Sequence, residues 1–100
     1  LLNIQHTKYI GIDYGVKRTG VSISDYNKVI SFPLDTIETS KLMIYLEDLI
    51  PNEKIEKVII GKPLKLNNQI HELENDISKF IKSLKFVIFV LKFILKSFPE

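Results

Sequence analysis

The 100-residue sequence contains no cysteine and no tryptophan, and only four glycines and four prolines. The absence of cysteine excludes a disulfide framework and a zinc-thiolate site, and it is typical of a reducing, cytosolic setting. An excess of one charge is also lacking, because 14 basic residues against 12 acidic ones leave a formal net charge of +2. No global field therefore draws the chain onto nucleic acid, and any basic footprint must be local.

Long hydrophobic runs are missing as well. The most apolar stretch, Phe86 to Phe98, is interrupted by Lys92 and Lys96 and is shorter than the roughly 20 residues that a membrane span requires. The first residues lack the basic and apolar regions of a signal peptide. We therefore expect a single-domain, soluble and cytoplasmic protein with no membrane partner. The chain starts with Leu rather than Met, which indicates a fragment or an unusual start.

The stretch from Tyr9 to Asp25, YIGIDYGVKRTGVSISD, has the most specific pattern. A short apolar run ends on Asp13, Gly15 permits a tight turn, and apolar and small polar residues alternate after Gly20, so two strands joined by a tight connection are predicted. A carboxylate at the end of a buried strand needs a partner or a metal to offset its desolvation. The alternative for Asp13 is a turn carboxylate that binds nearby backbone amides.

The next segments predict a third strand, a helix and a fourth strand. Val29 to Ile37 is the third strand, and Pro33 marks it as an edge strand or the site of a bulge. Apolar residues then recur at helical spacing, with Thr39 or Ser40 as the cap and Pro51 as the stop; they are Leu42, Met43, Leu46, Leu49 and Ile50. The run Val58 to Gly61 is typical of a parallel strand in the middle of a sheet.

The remaining residues predict a loop, a second helix and an ambiguous tail. Lys62 to Asn68 is the loop, at the carboxyl end of the fourth strand, where open sheets carry their sites. Ile70 to Leu84 repeats with helical period. From Phe86 to Glu100, ten of fifteen residues are Phe, Val, Ile or Leu, and periodicity does not decide between a fifth strand and an extension of the helix. We accordingly divide the chain into a domain over 1–85 and an apolar tail over 86–100.

Three blocks in this order, GIDYGVKRTGVSISD, FPLDTI and VIIGKPLKLNN, resemble the YqgF family of pre-16S rRNA nucleases, also described as Holliday junction resolvases. The resemblance covers roughly residues 8 to 85. It implies an α/β, RNase H-like mixed sheet, in which three antiparallel strands precede parallel strands with crossover helices. It also implies a metal-dependent phosphodiester hydrolase that processes the 5′ end of pre-16S rRNA in ribosome biogenesis, with branched DNA as another substrate.

The resemblance assigns roles to three residues of the first block. Asp13 becomes a catalytic carboxylate and a ligand of Mg²⁺ or Mn²⁺, hard cations that take oxygen ligands. Lys17 and Arg18 follow in the turn, where they can contact backbone phosphates of the nucleic acid or be simply exposed turn residues. Asp25 and Asp35 are expected in turn or surface roles.

The resemblance is incomplete at the C-terminus. Where the family has an acidic motif after a strand, this chain has Leu91 and Lys92, and the later Asp-containing helix of the family is absent. We therefore expect a truncated chain that holds one of the expected metal ligands. This leaves a second hypothesis, a catalytically inactive remnant that binds nucleic acid or a protein partner. A phosphate-binding fragment of the sugar kinase and actin-like superfamily is a third, but 100 residues are too few for two lobes. The oligomeric state stays open.

Overall fold

The computed structural model describes residues 6–61 and 68–97. Two compact units are distinguishable, Leu1–Lys62 and Pro63–Glu100. In chain order the elements are β1 (Lys8–Asp13), β2 (Arg18–Ser24), β3 (Ser31–Glu38), a short 3-10 helix (Thr39–Lys41), α1 (Leu42–Asn52), β4 (Ile55–Ile60) and α2 (Asn68–Ser97). The predicted order of three strands, a helix, a strand and a helix is confirmed.

The sheet of the first unit has the order β3-β2-β1-β4. β1 and β2 are antiparallel, as are β2 and β3, whereas β4 runs parallel to β1. β1 is thus an inner strand between one antiparallel and one parallel neighbour. The register pairs Asp13 with Gly20 across the β1–β2 hairpin, so the tight connection predicted from the sequence is confirmed.

One face of the inner strands β1 and β2 is buried and the other is open. Ile10, Ile12 and Val21 alternate with residues of the opposite face and are at most 3% exposed, as the two-residue period of a strand requires. Leu42 and Leu46 of α1 are buried in the same core. The opposite face carries Gly11, Asp13 and their cross-strand neighbours, and it is called the open face below.

The outer strand β3 has the features predicted from Pro33. It pairs only with β2 among the described strands, and its register shifts opposite Val21 and Ser22, between Asp35 and Pro33. Proline lacks the N–H that a regular ladder needs, and an irregularity of this kind protects an exposed edge from pairing with other chains.

Two local predictions were wrong for physical reasons. Thr39 and Ser40 do not cap α1, which begins at Leu42 after a 3-10 turn and has Lys41 as its N-cap, without a side-chain bond. The hydroxyl of Thr39 donates to the carbonyl of Gly15 instead. The helix also passes through Pro51 and ends at Asn52. Proline is tolerated there because its missing N–H removes one hydrogen bond from the last turn only.

The predicted place of the fourth strand was wrong too. β4 lies at the edge of the sheet formed by the described residues, not in its middle. Its side chains alternate between more and less exposed, and Ile59 is 51% exposed. An uninterrupted apolar run shows that both faces are apolar, but it does not show that a neighbouring strand is present on both sides.

The second unit consists of α2, a single helix of 30 residues. It includes Phe86 to Ser97, so the helix is the correct alternative for the described part of the apolar tail, and the boundary at residue 85 stays a prediction. Its buried side chains, Ile77, Phe80 and Leu84, recur at helical spacing, whereas Phe86 and Phe89 are exposed. No helix in the described part of the chain has the length and apolar character needed to span a membrane. The predicted loop was Lys62 to Asn68; residues 62–67 lie outside the described residues, and Asn68 begins α2 instead. Glu100 also lies outside the described residues.

Candidate functional site

The candidate site lies where β1 ends. Asp13 is the last residue of β1, and its side chain is exposed. Within the described residues its carboxylate accepts no hydrogen bond and forms no ion pair. The desolvation that the sequence led us to expect is therefore not present, and neither is the alternative of a carboxylate bonded to turn amides. Asp13 is a solvent-facing anion on a rigid inner strand.

Glycines flank this carboxylate on both sides, Gly20 within β2 and Gly61 directly after β4. Gly20 stands opposite Asp13 in the register, and a Cβ atom placed on Gly20 would lie 3.7 Å from the Cβ of Asp13. On the other side, the amide of Gly61 donates to the carbonyl of Ile12 at 3.1 Å. Because glycine has no side chain, the carboxylate can be approached from both sides along the sheet.

A groove of about 490 Å³ runs across the open face in front of Asp13. All four strands contribute to its lining, which consists of Gly11, Ile12, Asp13, Gly20, Val21, Ser22, Pro33, Asp35, Thr36, Ile59 and Gly61. Glycine and serine thus make the floor of the groove low next to Asp13.

Arg18 lies on the same face as Asp13. It is the first residue of β2, two positions before Gly20, and alternate residues of a strand share a face and lie about 7 Å apart. Its register partner, Glu38, forms its ion pair with Lys41, at 3.6 Å. Among the described residues the exposed Arg18 has no carboxylate partner. The guanidinium is therefore free to bind an external anion.

Lys17 belongs to the loop that joins β1 and β2. Its side chain is exposed, and its backbone carbonyl accepts a hydrogen bond of 2.9 Å from the amide of Thr39. The backbone is thus fixed while the ammonium group extends into solvent. Lys17 and Arg18 together place two positive charges beside the end of β1, as an anion-binding role requires.

The other two aspartates have structural roles. The Asp25 carboxylate accepts hydrogen bonds from the amides of Val29 and Ile30, at 2.9 and 3.1 Å. These two bonds, of which the one from Ile30 has the larger effect, hold the pKa of Asp25 below its ordinary value of 3.8. Asp25 is therefore a turn residue of the β2–β3 connection, as predicted.

Asp35 also lines the groove, but its carboxylate is bonded to the backbone. Its register partner is Val21, a residue of the buried face, and its carboxylate accepts from the amide of Thr36 at 2.8 Å. The pKa of Tyr45 in α1 is raised, mainly by burial and to a smaller extent by the negative charge of Asp35. Asp35 is thus an exposed residue whose carboxylate is engaged by a backbone amide, which agrees with the surface role predicted for it.

Two threonines that the sequence did not single out hold the loop from Tyr14 to Lys17. Thr19 is fully buried, and its hydroxyl lies 2.9 Å from that of Thr39 and 3.4 Å from the amide of Gly15. The signal that could have revealed Thr19 is strand parity. It precedes Val21 by two residues, so it faces the core, where a hydroxyl needs a partner.

A mixed sheet of order β3-β2-β1-β4, in which three antiparallel strands precede a parallel one, has the RNase H-like fold. The chain belongs to the RuvX family, whose description is "Holliday junction resolvase" and whose model matches residues 7–95. This is the family, also called YqgF, that the three sequence blocks resemble, so the predicted family and the predicted fold class are confirmed.

Curated relatives agree with this family. A protein of Bacteroides fragilis is 37% identical over 79 residues, which are 79% of this chain and 57% of the relative. A protein of Christiangramia forsetii is 38% identical over 93 residues, which are 93% of this chain and 62% of the relative. Both carry the name "Putative pre-16S rRNA nuclease". The chain therefore spans less than two thirds of the length of these relatives.

Proposed function

We propose that this chain acts as a cytoplasmic, metal-dependent nuclease that hydrolyses phosphodiester bonds near the 5′ end of pre-16S rRNA during ribosome biogenesis. The observation that carries the proposal is the Asp13 carboxylate, exposed at the end of an inner strand, free of protein partners within the described residues, and flanked by glycines. The names of the relatives supply the substrate.

The proposed metal is Mg²⁺, with Mn²⁺ as its substitute. Mg²⁺ keeps several of its waters and binds through one or two carboxylates together with substrate phosphates. The open carboxylate of Asp13 fits that requirement, and the low floor of the groove leaves room for a hydrated ion. When bound, such an ion lowers the pKa of a water and offsets charge on the phosphate oxygens.

Lys17 and Arg18 are proposed to bind the RNA backbone. Arg18 shares the open face with Asp13 and can hold a phosphate through two parallel N–H bonds. Lys17 offers a point charge from the loop. These contacts orient the RNA strand along the groove without reading its sequence.

A second candidate function is binding without cleavage. No group of three or more His, Asp or Glu side chains within residues 6–61 and 68–97 is placed to hold a metal ion. One carboxylate holds Mg²⁺ weakly in the absence of substrate phosphates. This observation favours a module that binds nucleic acid or a protein partner, and the experiment must separate it from the nuclease.

The experiment uses a 5′-labelled pre-16S leader RNA and a four-way DNA junction, each incubated with the full chain and Mg²⁺. Asp13→Asn removes the charge of the candidate ligand, and Asp48→Asn is the matched control because that residue belongs to α1 and does not line the groove. We expect cleavage of the RNA by the unmodified chain. The rate should fall by at least about 100-fold in Asp13→Asn, since even indirect support of a metal ligand is worth 10- to 100-fold, and it should be unchanged in Asp48→Asn.

Three other results would change the assignment. RNA binding of equal strength in all variants, with no cleavage in any, supports the binding module. Preferential cleavage of the junction supports a resolvase, the activity in the family description. Cleavage that is equal in Asp13→Asn and the unmodified chain contradicts the proposed site.

A further inference from the structure

The loop from Tyr14 to Lys17 has little apolar packing at its tip. Val16, in its middle, is 70% exposed. This loop nevertheless determines where Lys17 and the start of β2 lie relative to Asp13. Its conformation must therefore be fixed by other interactions, and the hydrogen bonds of two threonines provide them.

The donors and acceptors of these hydrogen bonds can be assigned by counting protons. The Thr39 hydroxyl donates its single proton to the carbonyl of Gly15, at 2.7 Å. In its 2.9 Å contact with Thr19 the Thr39 oxygen is consequently the acceptor, and Thr19 is the donor. A hydroxyl has one proton and two lone pairs, so the Thr19 oxygen is left to accept from the amide of Gly15, at 3.4 Å.

The result is a closed ring of hydrogen bonds that begins and ends on one residue. It runs from the Gly15 amide to the Thr19 hydroxyl, then to the Thr39 hydroxyl, and back to the Gly15 carbonyl. Each hydroxyl donates once and accepts once. Such bonds polarise one another, and they tie the loop to β2 and to the residue that follows β3.

A further bond joins the same threonine to the phosphate-binding part of the loop. The backbone amide of Thr39 donates to the carbonyl of Lys17 at 2.9 Å. Thr39 is thus bonded to the loop at two residues, Gly15 and Lys17, from the end of β3. Thr19 follows Arg18 directly in β2 and is fully buried, so it fixes the backbone of β2 next to Arg18.

We propose that Thr19 and Thr39 are positioning residues of the RNA site: their hydroxyl ring holds Lys17 and Arg18 where both can bind phosphates of the strand whose scissile bond lies at Asp13. The inference rests on the proposed function, since it concerns the same nucleic acid. Neither hydroxyl touches RNA. Each acts through the backbone of the loop.

The test measures the affinity of the full chain for a fluorescently labelled pre-16S leader RNA by anisotropy, at several salt concentrations. Replacing both Lys17 and Arg18 by Ala should lower the salt dependence of log K by about one for each lost phosphate contact. Thr39→Val should weaken binding about 5-fold, within the usual range for coupled residues, and should also lower the salt slope. Thr39→Ser keeps the hydroxyl and should restore both values.

The decisive comparison is Thr39→Val in the background where Lys17 and Arg18 are already Ala. If the threonine acts through these two side chains, it should have no further effect there. Circular dichroism confirms that each variant is folded at the assay temperature. A threonine that only stabilised the fold would leave the salt slope of the folded protein unchanged.

The remaining outcomes separate the inference from the function beneath it. If the double Ala variant has a lower slope but Thr39→Val does not, or if Thr39→Ser behaves like Thr39→Val, the positioning role is refuted and the phosphate contacts stand. Equal weakening by Thr39→Val in both backgrounds also refutes it. If the unmodified chain does not bind RNA, or the double Ala variant binds with unchanged slope, the proposed RNA contacts fail and the inference fails with them.

Discussion

Removing the two threonine hydroxyls one at a time and together should reveal the ring in the free energy of unfolding. Thr19→Val keeps nearly the same shape at a fully buried position, but it leaves the Gly15 amide without its acceptor and the Thr39 oxygen without its donor. A buried polar group without a partner costs about 1 to 3 kcal/mol. Thr39→Val likewise leaves the Thr19 hydroxyl proton without its acceptor and the Gly15 carbonyl without its donor, so we expect a similar cost.

The double variant should lose less than the sum of the two single losses. Each single substitution breaks the 2.9 Å bond between the hydroxyls, so that bond is counted twice in the sum and once in the double variant. The difference should be near one hydrogen bond, about 0.5 to 1.5 kcal/mol.

Urea denaturation followed by circular dichroism measures these values. With a slope of about 1 to 3 kcal/mol per molar urea, usual for small proteins, each single variant should lower the midpoint by about 1 M. Strict additivity of the two single variants would refute the ring and leave two independent hydroxyls.

Two further predictions concern the turns. Gly15→Ala would bring a Cβ into the carbonyl oxygen of Arg18, whereas the Cβ of Gly20→Ala makes only an ordinary contact. Thermal denaturation should therefore show a clear loss of stability for Gly15→Ala and a much smaller one for Gly20→Ala. Equal losses would contradict the close approach at Gly15. Asp25 has a lowered pKa, so its contribution to stability is present above pH 3.8 and is lost as the pH falls toward its lower folded value. Asp25→Asn should therefore be less stable than the unmodified chain at pH 7, and the difference should narrow at pH 3.

The strands of the hairpin could be predicted because their pattern is local. Apolar residues alternate around Val21, and Gly15 marks the turn, so sequence spacing determines which residues pair. Pro33 likewise predicted an outer, irregular strand, because proline has no N–H to donate to a neighbouring strand in any protein. These features require no knowledge of distant parts of the chain.

Features that depend on distant partners could not be predicted in this way. The apolar run of β4 does not reveal whether one or two strands lie beside it. The apolar residues after Phe86 follow one another too closely to show a period, so the helical continuation was undecided. Thr39 was assigned to a helix cap, the usual role of a threonine before an apolar periodic run, whereas its actual partners lie some 20 residues earlier, in the β1–β2 hairpin.

The candidate site shows the same division. Asp13, Lys17 and Arg18 are adjacent in sequence, so their common location follows from the hairpin, but the exposure of Asp13 does not. The sequence led us to expect a buried carboxylate that requires a cation. The structure has an exposed one, and its role as a metal ligand stays a prediction.

That role can be measured directly with paramagnetic Mn²⁺ in a ¹⁵N-labelled sample of the full chain. We expect line broadening of backbone amides to be strongest at Asp13, Gly20 and Gly61, to increase when a short RNA supplies phosphates, and to vanish in Asp13→Asn. Broadening that is spread evenly over the acidic side chains, or that persists in Asp13→Asn, would contradict a metal site at the end of β1.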